Sequence, residues 1–371
     1  MTFAFGEART WAQILGPYRT PDVPRSIFEL LVTAVPFVLL WALMWAALGV
    51  GYWLCLLLAL PTACLLMRLF MIQHDCGHGA CFRRRATNDW VGRAIGVVTL
   101  TPYSFWLRGH ALHHANAGNL DHRGSGDIIT LTADEYLTQT RFQRLVYRAY
   151  RNPLVMFGLI PTYLFLLHYR LPIGMMRSGR QPWVSTMGTN AAIASVVSTL
   201  IWLMGAGPFL LVQAPVVVLS ATIAVWFFYV QHQFEDTLWA HDGDWNFHEA
   251  ALKGSSHYEL PPALAWFTGN IGVHHVHHLS SRIPFYRLPE VFRDHPQLAS
   301  LGRLTFLQSL RCATLALWDE RQKRLISFRE LRAGPAALPR ALSDLLAGSQ
   351  GDRPRQARLP LSPSSVNTNT S

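Results

Sequence analysis

The chain has 371 residues, of which half are hydrophobic and 15% carry a charged side chain. Soluble globular proteins have about 25% charged residues, so this composition argues against a water-soluble domain and favours a membrane protein. The net charge of +10 is compatible with an anionic partner, and five cysteines without a CxxC pair argue against a disulfide framework.

The first predicted elements form a helical hairpin in the membrane. Residues 1–26 contain no short apolar core followed by a small-residue cleavage site, so we expect a cytosolic N-terminal segment and no cleaved signal peptide. Two apolar runs follow, over about residues 27–50 and 52–72. Each has the roughly 20 residues that a spanning helix needs. Only "GVGY" separates the two runs, so the chain must turn back at once.

A second hairpin is predicted over about residues 188–204 and 209–230, joined by "GAGP". Neither short turn carries a charge, whereas the segments between and beyond the hairpins are rich in arginine, as in "CFRRR", "RFQRLVYRAYR" and "MRSGR". The positive-inside rule then places both turns on the far side of the membrane and both termini in the cytoplasm. The basic residues lie where anionic lipid headgroups would be, so the net charge requires no nucleic acid.

Two further segments complete the predicted organisation. Residues 152–169 form a fifth apolar run interrupted by Pro161, which we interpret as an interfacial helix. If this run spanned the bilayer, the last histidine cluster would move to the side opposite the first two. The membrane domain is expected over residues 27–335, and residues 336–371 are polar and rich in proline and serine, which is typical of a disordered tail.

Clusters of histidine follow the predicted spans. The motif "HDCGH" begins directly after the second run, and "HALHH" and "HHVHH" each place three histidines at i, i+3 and i+4, on one face of a helix. One more histidine stands at the end of the fourth run. With the topology above, all nine lie at the same membrane face: His74, His78, His110, His113, His114, His232, His274, His277 and His278.

Metal coordination explains these nine histidines better than surface or core roles do. Buried unpaired imidazoles lose hydration, and clustered exposed ones repel each other when protonated. Neutral imidazole, in contrast, is a natural metal ligand. One tetrahedral zinc takes about four ligands, so nine favour two ions of higher coordination number with open positions. Imidazole accepts zinc, copper, iron and nickel, so the ligand type alone leaves the metal open.

The spacing and its context together resemble the integral-membrane fatty acid desaturases, whose three histidine boxes are HxxxH, HxxHH and HxxHH. The likeness covers roughly residues 25–310 and includes "QHDCGHGACF", "NDWVG", "TPYSFWLRGHALHH", "FFYVQHQFED" and "GNIGVHHVHHLSSRIPFYRL". This text is similar to the bacterial and cyanobacterial acyl-lipid branch that includes Δ12 (ω-6) enzymes. We therefore expect an all-α integral membrane fold, with four transmembrane helices in two hairpins and a cytosolic helical cap that carries a dimetal site.

The resemblance also implies the chemistry. The eight box histidines, with His232 as an additional one, would bind two iron ions, and O2 would be the co-substrate. The expected reaction introduces a cis double bond near the Δ12 position of a monounsaturated acyl chain held by a lipid or a carrier. The sequence shows no dinucleotide fingerprint and no haem-binding segment, so a separate electron donor such as ferredoxin is implied. The expected location is a bacterial inner membrane.

Acidic residues close to the boxes are candidates to orient the histidine rings through their second nitrogen. A solvated acid or a helix cap is an equally good interpretation of each. The candidates are Asp75, Asp121, Asp127, Glu235 and Asp236. Asn270, just before the third box, either caps that helix or holds a metal-bound water.

Two other functions stay open at this point. Related membrane oxygenases use the same kind of metal site to hydroxylate, ketolate or epoxidise a lipid or a carotenoid, and only the text around the boxes favours desaturation. A histidine-rich metal transporter or sensor would instead carry ionisable residues along its spanning helices. The predicted spans are nearly free of such residues, apart from Arg68 near one end.

Overall fold

The computed structural model describes residues 8–124 and 126–333, so the predicted tail over residues 336–371 lies outside the described residues. The fold is mostly helical, and the described residues up to Phe328 belong to one compact unit. The described α-helices are α1 (Ala8–Leu15), α2 (Val23–Ala47), α3 (Tyr52–His78), α4 (Arg85–Val98), α5 (Tyr103–Asn116), α6 (Ala133–Thr138), α7 (Arg141–Tyr150), α8 (Ile160–Leu166), α9 (Arg180–Met204), α10 (Ala206–His232), α11 (Phe247–Lys253), α12 (Pro262–Phe267), α13 (His274–Leu279), α14 (Leu288–Asp294), α15 (Phe306–Cys312) and α16 (Phe328–Ala333).

Four of these helices, α2, α3, α9 and α10, are long and apolar enough to cross a membrane. They are the helices of the two predicted hairpins, which confirms the predicted fold class. All four extend beyond the predicted hydrophobic runs at one end or both: α2 begins at Val23 and α9 at Arg180, while α3 continues to His78 and α10 to His232. These last turns are polar but buried against other parts of the protein, so the helix does not end where the apolar run does.

Local sequence signals set the ends of the spanning helices. Asp22 caps α2 by accepting a hydrogen bond from the Arg25 backbone N–H at 3.1 Å. Gly79 ends α3 with a φ of +70°, a left-handed conformation that favours glycine, directly after His78. Gly205, with a φ of +88°, separates α9 from α10. Glycine at positions 79 and 205 thus permits the backbone conformation that each helix end requires.

The fifth apolar run is bent. A π-helical turn over Val155–Leu159 leads into α8, and a 3-10 turn over His168–Arg170 follows. Together with α7 these residues pass the length and composition test for one broken span, with a bend of 56°. The part of the chain that the structure describes therefore has four candidate spans, or five if this bent pair forms one. The interfacial interpretation of residues 152–169 stays a prediction.

Within residues 8–124 and 126–333, five short strands add to the helical fold: β1 (Leu131–Thr132), β2 (His257–Glu259), β3 (Arg303–Thr305), β4 (Leu315–Asp319) and β5 (Arg324–Ser327). They form two small sheets. In the first, β1 runs parallel to β4, which pairs antiparallel with β5. In the second, β2 and β3 run parallel. The sequence did not predict them, because strands this short carry too few residues for a periodic pattern.

The helix α3 lies at the centre of the membrane part. Its residues pack against α2 on one side and α10 on the other, in a core that includes Met44, Cys55, Ala59, Val212 and Val216. The outward faces of the hairpins keep large apolar side chains exposed, as expected of helices in contact with lipid. The two buried helices α3 and α10 are the ones that end in histidines, so the core of the hairpins positions those ligand candidates.

Candidate metal centre

Four helices bring the nine predicted histidines together. The last turns of α3 and α10 carry His74, His78 and His232, while α5 and α13 supply three histidines each. Within α5 and α13 the i, i+3, i+4 spacing turns all three rings to one side. The short helix α13 is entirely buried, which explains the apolar residues between its histidines.

The nine histidines divide into two groups that can each hold a metal ion. The five-histidine group consists of His74, His78, His110, His114 and His277. The four-histidine group consists of His113, His232, His274 and His278. Within each group, one ring nitrogen per residue lies within 4.8 Å of all the others. The sequence did not indicate this division, in which both α5 and α13 contribute to both groups.

Hydrogen bonds alone do not account for the five-histidine group. The Nε2 atom of His78 lies 3.3 Å from that of His74 and 3.0 Å from that of His110. The Nε2 atom of His114 lies 3.1 Å from that of His110 and 3.2 Å from that of His277. One proton per donor nitrogen satisfies at most three of these four contacts. A shared cation that accepts all five lone pairs satisfies the whole set.

Hydrogen bonds account even less well for the four-histidine group. The Nδ1 atom of His113 bonds the Asp127 carboxylate, and that of His232 bonds the Gly254 carbonyl oxygen at 3.0 Å. Both oxygens are acceptors, so each Nδ1 carries the proton of a neutral ring and each Nε2 keeps its lone pair. These two lone pairs face each other across 3.1 Å. The donor set therefore fits a bound cation.

The environment keeps the rings neutral. Burial and the neighbouring imidazoles hold the pKa of His110, His114, His274, His277 and His278 well below the ordinary value. A neutral imidazole presents a lone pair at neutral pH without first losing a proton. The buried site therefore favours neutral histidines that can bind a metal ion over protonated histidines that cannot.

Two of the candidate acids touch the histidines. Asp75 has its Oδ1 atom 3.2 Å from the Nδ1 atom of His74, and its Oδ2 atom accepts a hydrogen bond from the Phe285 backbone N–H at 2.7 Å. Asp127 bonds His113 as described above. Both carboxylates therefore lie where a ring-orienting acceptor is needed.

The other candidates have different partners. Asp121 accepts a hydrogen bond from the exposed ring of His241 at 2.7 Å, and Glu235 forms an ion pair with Arg324 at 2.7 Å. Both lie on the surface side of their loops, so sequence proximity to a box was a poor guide for them. Asn270 donates its side-chain N–H to the Phe285 carbonyl at 3.2 Å and adopts a φ of +52°, so it shapes the loop before α13.

Three further contacts at the site involve groups to which the histidine motifs assign no role. The Gly254 carbonyl that orients His232 belongs to the backbone, and no side-chain pattern announces it. His275 points away from both groups and bonds the Leu298 carbonyl at 3.0 Å, in keeping with its position off the ligand face of the helix. Trp106 stacks on His110, a contact that no motif in the sequence indicates.

Comparison with known proteins agrees with this site. The family model described as "Fatty acid desaturase" matches residues 50–309, more than half of the chain. A "Fatty acid desaturase" of Bacillus subtilis (strain 168) is 42% identical over 322 residues, which cover 87% of this chain and 91% of that protein.

Two proteins of Synechocystis sp. are 29% identical. An "sn-1 acyl-lipid omega-3 desaturase (ferredoxin)" is matched over 59% of this chain and 61% of its own length. An "sn-1 oleoyl-lipid 12-desaturase" is matched over 65% of this chain and 70% of its own length. The family match over residues 50–309 contains all three histidine boxes and both histidine groups, and the chain accordingly belongs to the fatty acid desaturase family of oxidoreductases.

Proposed function

We propose that this enzyme introduces a double bond into a membrane-associated acyl chain at a two-iron centre held by the nine histidines. The observation that carries the proposal is the convergence of nine imidazoles in two groups, three of them in the last turns of helices long enough to span a membrane. A pair of bound iron ions would supply the O2 activation that an unactivated methylene requires. Two C–H hydrogens, two protons and two donor electrons would reduce one O2 to two waters.

The protein's own residues have three tasks in this proposal. The five-histidine and four-histidine groups hold the ions, and Asp75, Asp127 and the Gly254 carbonyl fix the orientation of three rings. Burial of α13 and of the last turn of α3 keeps bulk water from the site. The spanning helices place the centre next to the bilayer, so that an acyl chain can reach it from the lipid phase.

For the substrate, we propose a long, already monounsaturated chain esterified to a lipid, with the new cis double bond near the Δ12 position. Support comes from the sequence context of the boxes and from the similarity to the oleoyl-lipid 12-desaturase. The omega-3 relative is equally similar, so the acyl-lipid class has broader support than the bond position. The position of the new bond depends on how deep the acyl chain enters the site.

Fatty acid methyl ester analysis tests both the type of reaction and the position of the new double bond. The full chain is expressed in a host rich in oleate, and the products are compared with those of a His110→Ala variant by mass spectrometry. Linoleate in the wild type alone supports the whole proposal. A new bond at another position keeps desaturation and rejects Δ12. A hydroxylated or keto product without a diene rejects desaturation and favours the related oxygenase chemistry.

We further propose that the histidines face the cytosol of a bacterial inner membrane and that electrons arrive from a separate ferredoxin-like carrier. The arginine-rich segments on the histidine side support this orientation. The name of the omega-3 relative includes ferredoxin, which supports the kind of donor. Reporter fusions within the turn at Gly205 and after Ser371 should report opposite sides of the membrane, and a C-terminus on the far side would reject the orientation.

A further inference from the structure

A buried ion pair lies inside the first membrane hairpin, outside the two histidine groups. Arg68 of α3 and Glu29 of α2 are 1% and 2% exposed, and their guanidinium and carboxylate groups are in direct contact. Arg68 precedes His74 by six residues, about 9 Å along the helix. Charged groups within spanning helices are costly and are retained for specific tasks. The desaturation chemistry proposed above assigns this pair no role.

The other contacts of Arg68 lead to the segment that carries the third histidine box. Its Nε–H donates to the Thr33 hydroxyl at 3.1 Å, and its Nη1 group donates to the Trp266 carbonyl oxygen. Its guanidinium plane also lies 4.0 Å from the centre of the Trp266 ring and 5.1 Å from that of Phe285. One planar cation thus touches both residues.

Trp266 and Phe285 stand on either side of the third box. Trp266 belongs to α12, before the box, and Phe285 begins the 3-10 turn after it. The segment 267–284 between them, which carries the third box, therefore begins and ends next to Arg68. At the return point the Phe285 backbone N–H donates to Asp75, whose other oxygen lies against the Nδ1 atom of His74. A continuous set of contacts therefore runs from Glu29 through Arg68 to a ring of the five-histidine group.

We propose that the Glu29–Arg68 pair is a positioning device for the metal centre: it fixes both ends of the third-box segment onto the first hairpin and thereby sets the geometry of metal binding. The inference rests on the proposed two-metal function. Neither residue is a ligand, and each acts through others.

The chemistry of the pair makes specific demands. The guanidinium must bond Glu29, Thr33 and the Trp266 carbonyl while its central carbon lies over two aromatic rings. Lysine keeps the charge but offers neither the planar fork nor the stacking surface. Glutamine at position 29 keeps the shape but leaves the buried arginine without its counter-charge. Loss of an outer contact to a ligand residue typically lowers metal affinity about 10–100-fold.

The experiment measures Co²⁺ binding to the detergent-solubilised, metal-free full chain, at a temperature well below its unfolding transition. The variants are Arg68→Lys and Glu29→Gln. The matched control is Arg25→Gln, which removes the exposed partner of the same carboxylate, at 2.7 Å, and leaves Arg68 in place. We expect two Co²⁺ per wild-type chain, an affinity about 10–100-fold lower for at least one ion in both variants, and wild-type affinity in the control.

The measurement separates positioning from general stabilisation. A pair that only stabilised the fold would lower the unfolding temperature but leave Co²⁺ affinity unchanged below it, and that result would overturn the inference. If neither variant accumulates, Thr33→Val removes one hydrogen bond of Arg68 and keeps the ion pair. It should weaken Co²⁺ binding by a smaller factor, and wild-type affinity there would equally overturn the inference. A wild-type chain that fails to bind two ions would instead reject the proposed two-metal function.

Discussion

The indole of Trp106 lies almost parallel to the imidazole of His110, with ring centres 4.7 Å apart and planes inclined by 14°. The two residues are one turn apart on α5, so the helix itself brings the rings into register. The Nε2 atom of His110 at the same time contacts those of His78 and His114. The stack therefore fixes the plane of a ring whose edge must point at the metal position.

Removal of this stack should weaken metal binding. Trp106→Ala frees the His110 ring to rotate, so we expect metal affinity of the five-histidine group to fall about 10-fold. Trp106→Phe keeps an aromatic surface and should stay close to the wild type. Isothermal titration with Co²⁺ measures both, and Trp202→Ala, at an exposed indole in α9, is the control. Equal affinity in Trp106→Ala and the wild type would mean that the helix alone holds His110.

The division into two groups predicts that single histidine replacements remove single ions. His110→Ala should lower the metal content of the purified protein from two ions to about one, and His278→Ala should do the same through the other group. Both should abolish most of the desaturase activity, because the proposed reaction needs both ions. Elemental analysis checks the content, with His295→Ala as the control at a residue outside both groups. Loss of both ions from either variant would show that the groups do not bind independently.

Sequence reasoning found the parts of this site that repeat along the chain. The i, i+3, i+4 spacing in "HALHH" and "HHVHH" follows from helix geometry, and the apolar runs mark their own spans. What it missed depends on tertiary contacts. The assignment of His113 to a different group from His110 and His114 is decided by where α10 ends. Asp127, and not Asp121, contacts a histidine of the two metal-binding groups because of the fold of the loop after α5. No local sequence pattern encodes that fold.

For metal binding, the negative charge of Asp127 should matter more than the size of its side chain. Asp127→Asn keeps the shape but removes the negative charge that holds the Nδ1 proton of His113, so the ring more easily takes the wrong tautomer. We expect metal affinity of the four-histidine group to fall about 10–100-fold and activity to fall with it. Asp121→Asn is the control, since Asp121 bonds the surface residue His241. A larger loss in the control than in Asp127→Asn would contradict the assignment.

The metal-free protein should become less stable as the pH falls. Burial holds the pKa of His277 and His278 well below the ordinary value and lowers that of His275 to about 3. The unfolded chain takes up protons at these rings near pH 6.5, about the ordinary value, whereas the folded chain does not. Stability is therefore fully present above about pH 6.5 and declines below it.

Thermal unfolding between pH 8 and pH 5 checks this dependence. The unfolding midpoint of the metal-free chain should fall steadily below about pH 6.5, as the unfolded histidines take up protons. Bound metal excludes protons from the same nitrogens, so the decline of the loaded chain should begin at a lower pH. A midpoint that stays flat down to pH 5 in the metal-free chain would mean that these rings are not kept neutral by burial.

In α3 and α10 the spanning segment and the candidate metal ligands belong to one continuous helix, and this limits the insertions that the chain can accept. Since α3 runs without a break from the far turn to His78, a single inserted residue between them would rotate His74 and His78 by about 100° relative to the rest of the helix and shift them by about 1.5 Å. The same holds for His232 at the end of α10. These two helices act as fixed-length spacers, so adaptation to a thicker or thinner bilayer must come from their far turns and from α2 and α9, whose ends carry no ligand.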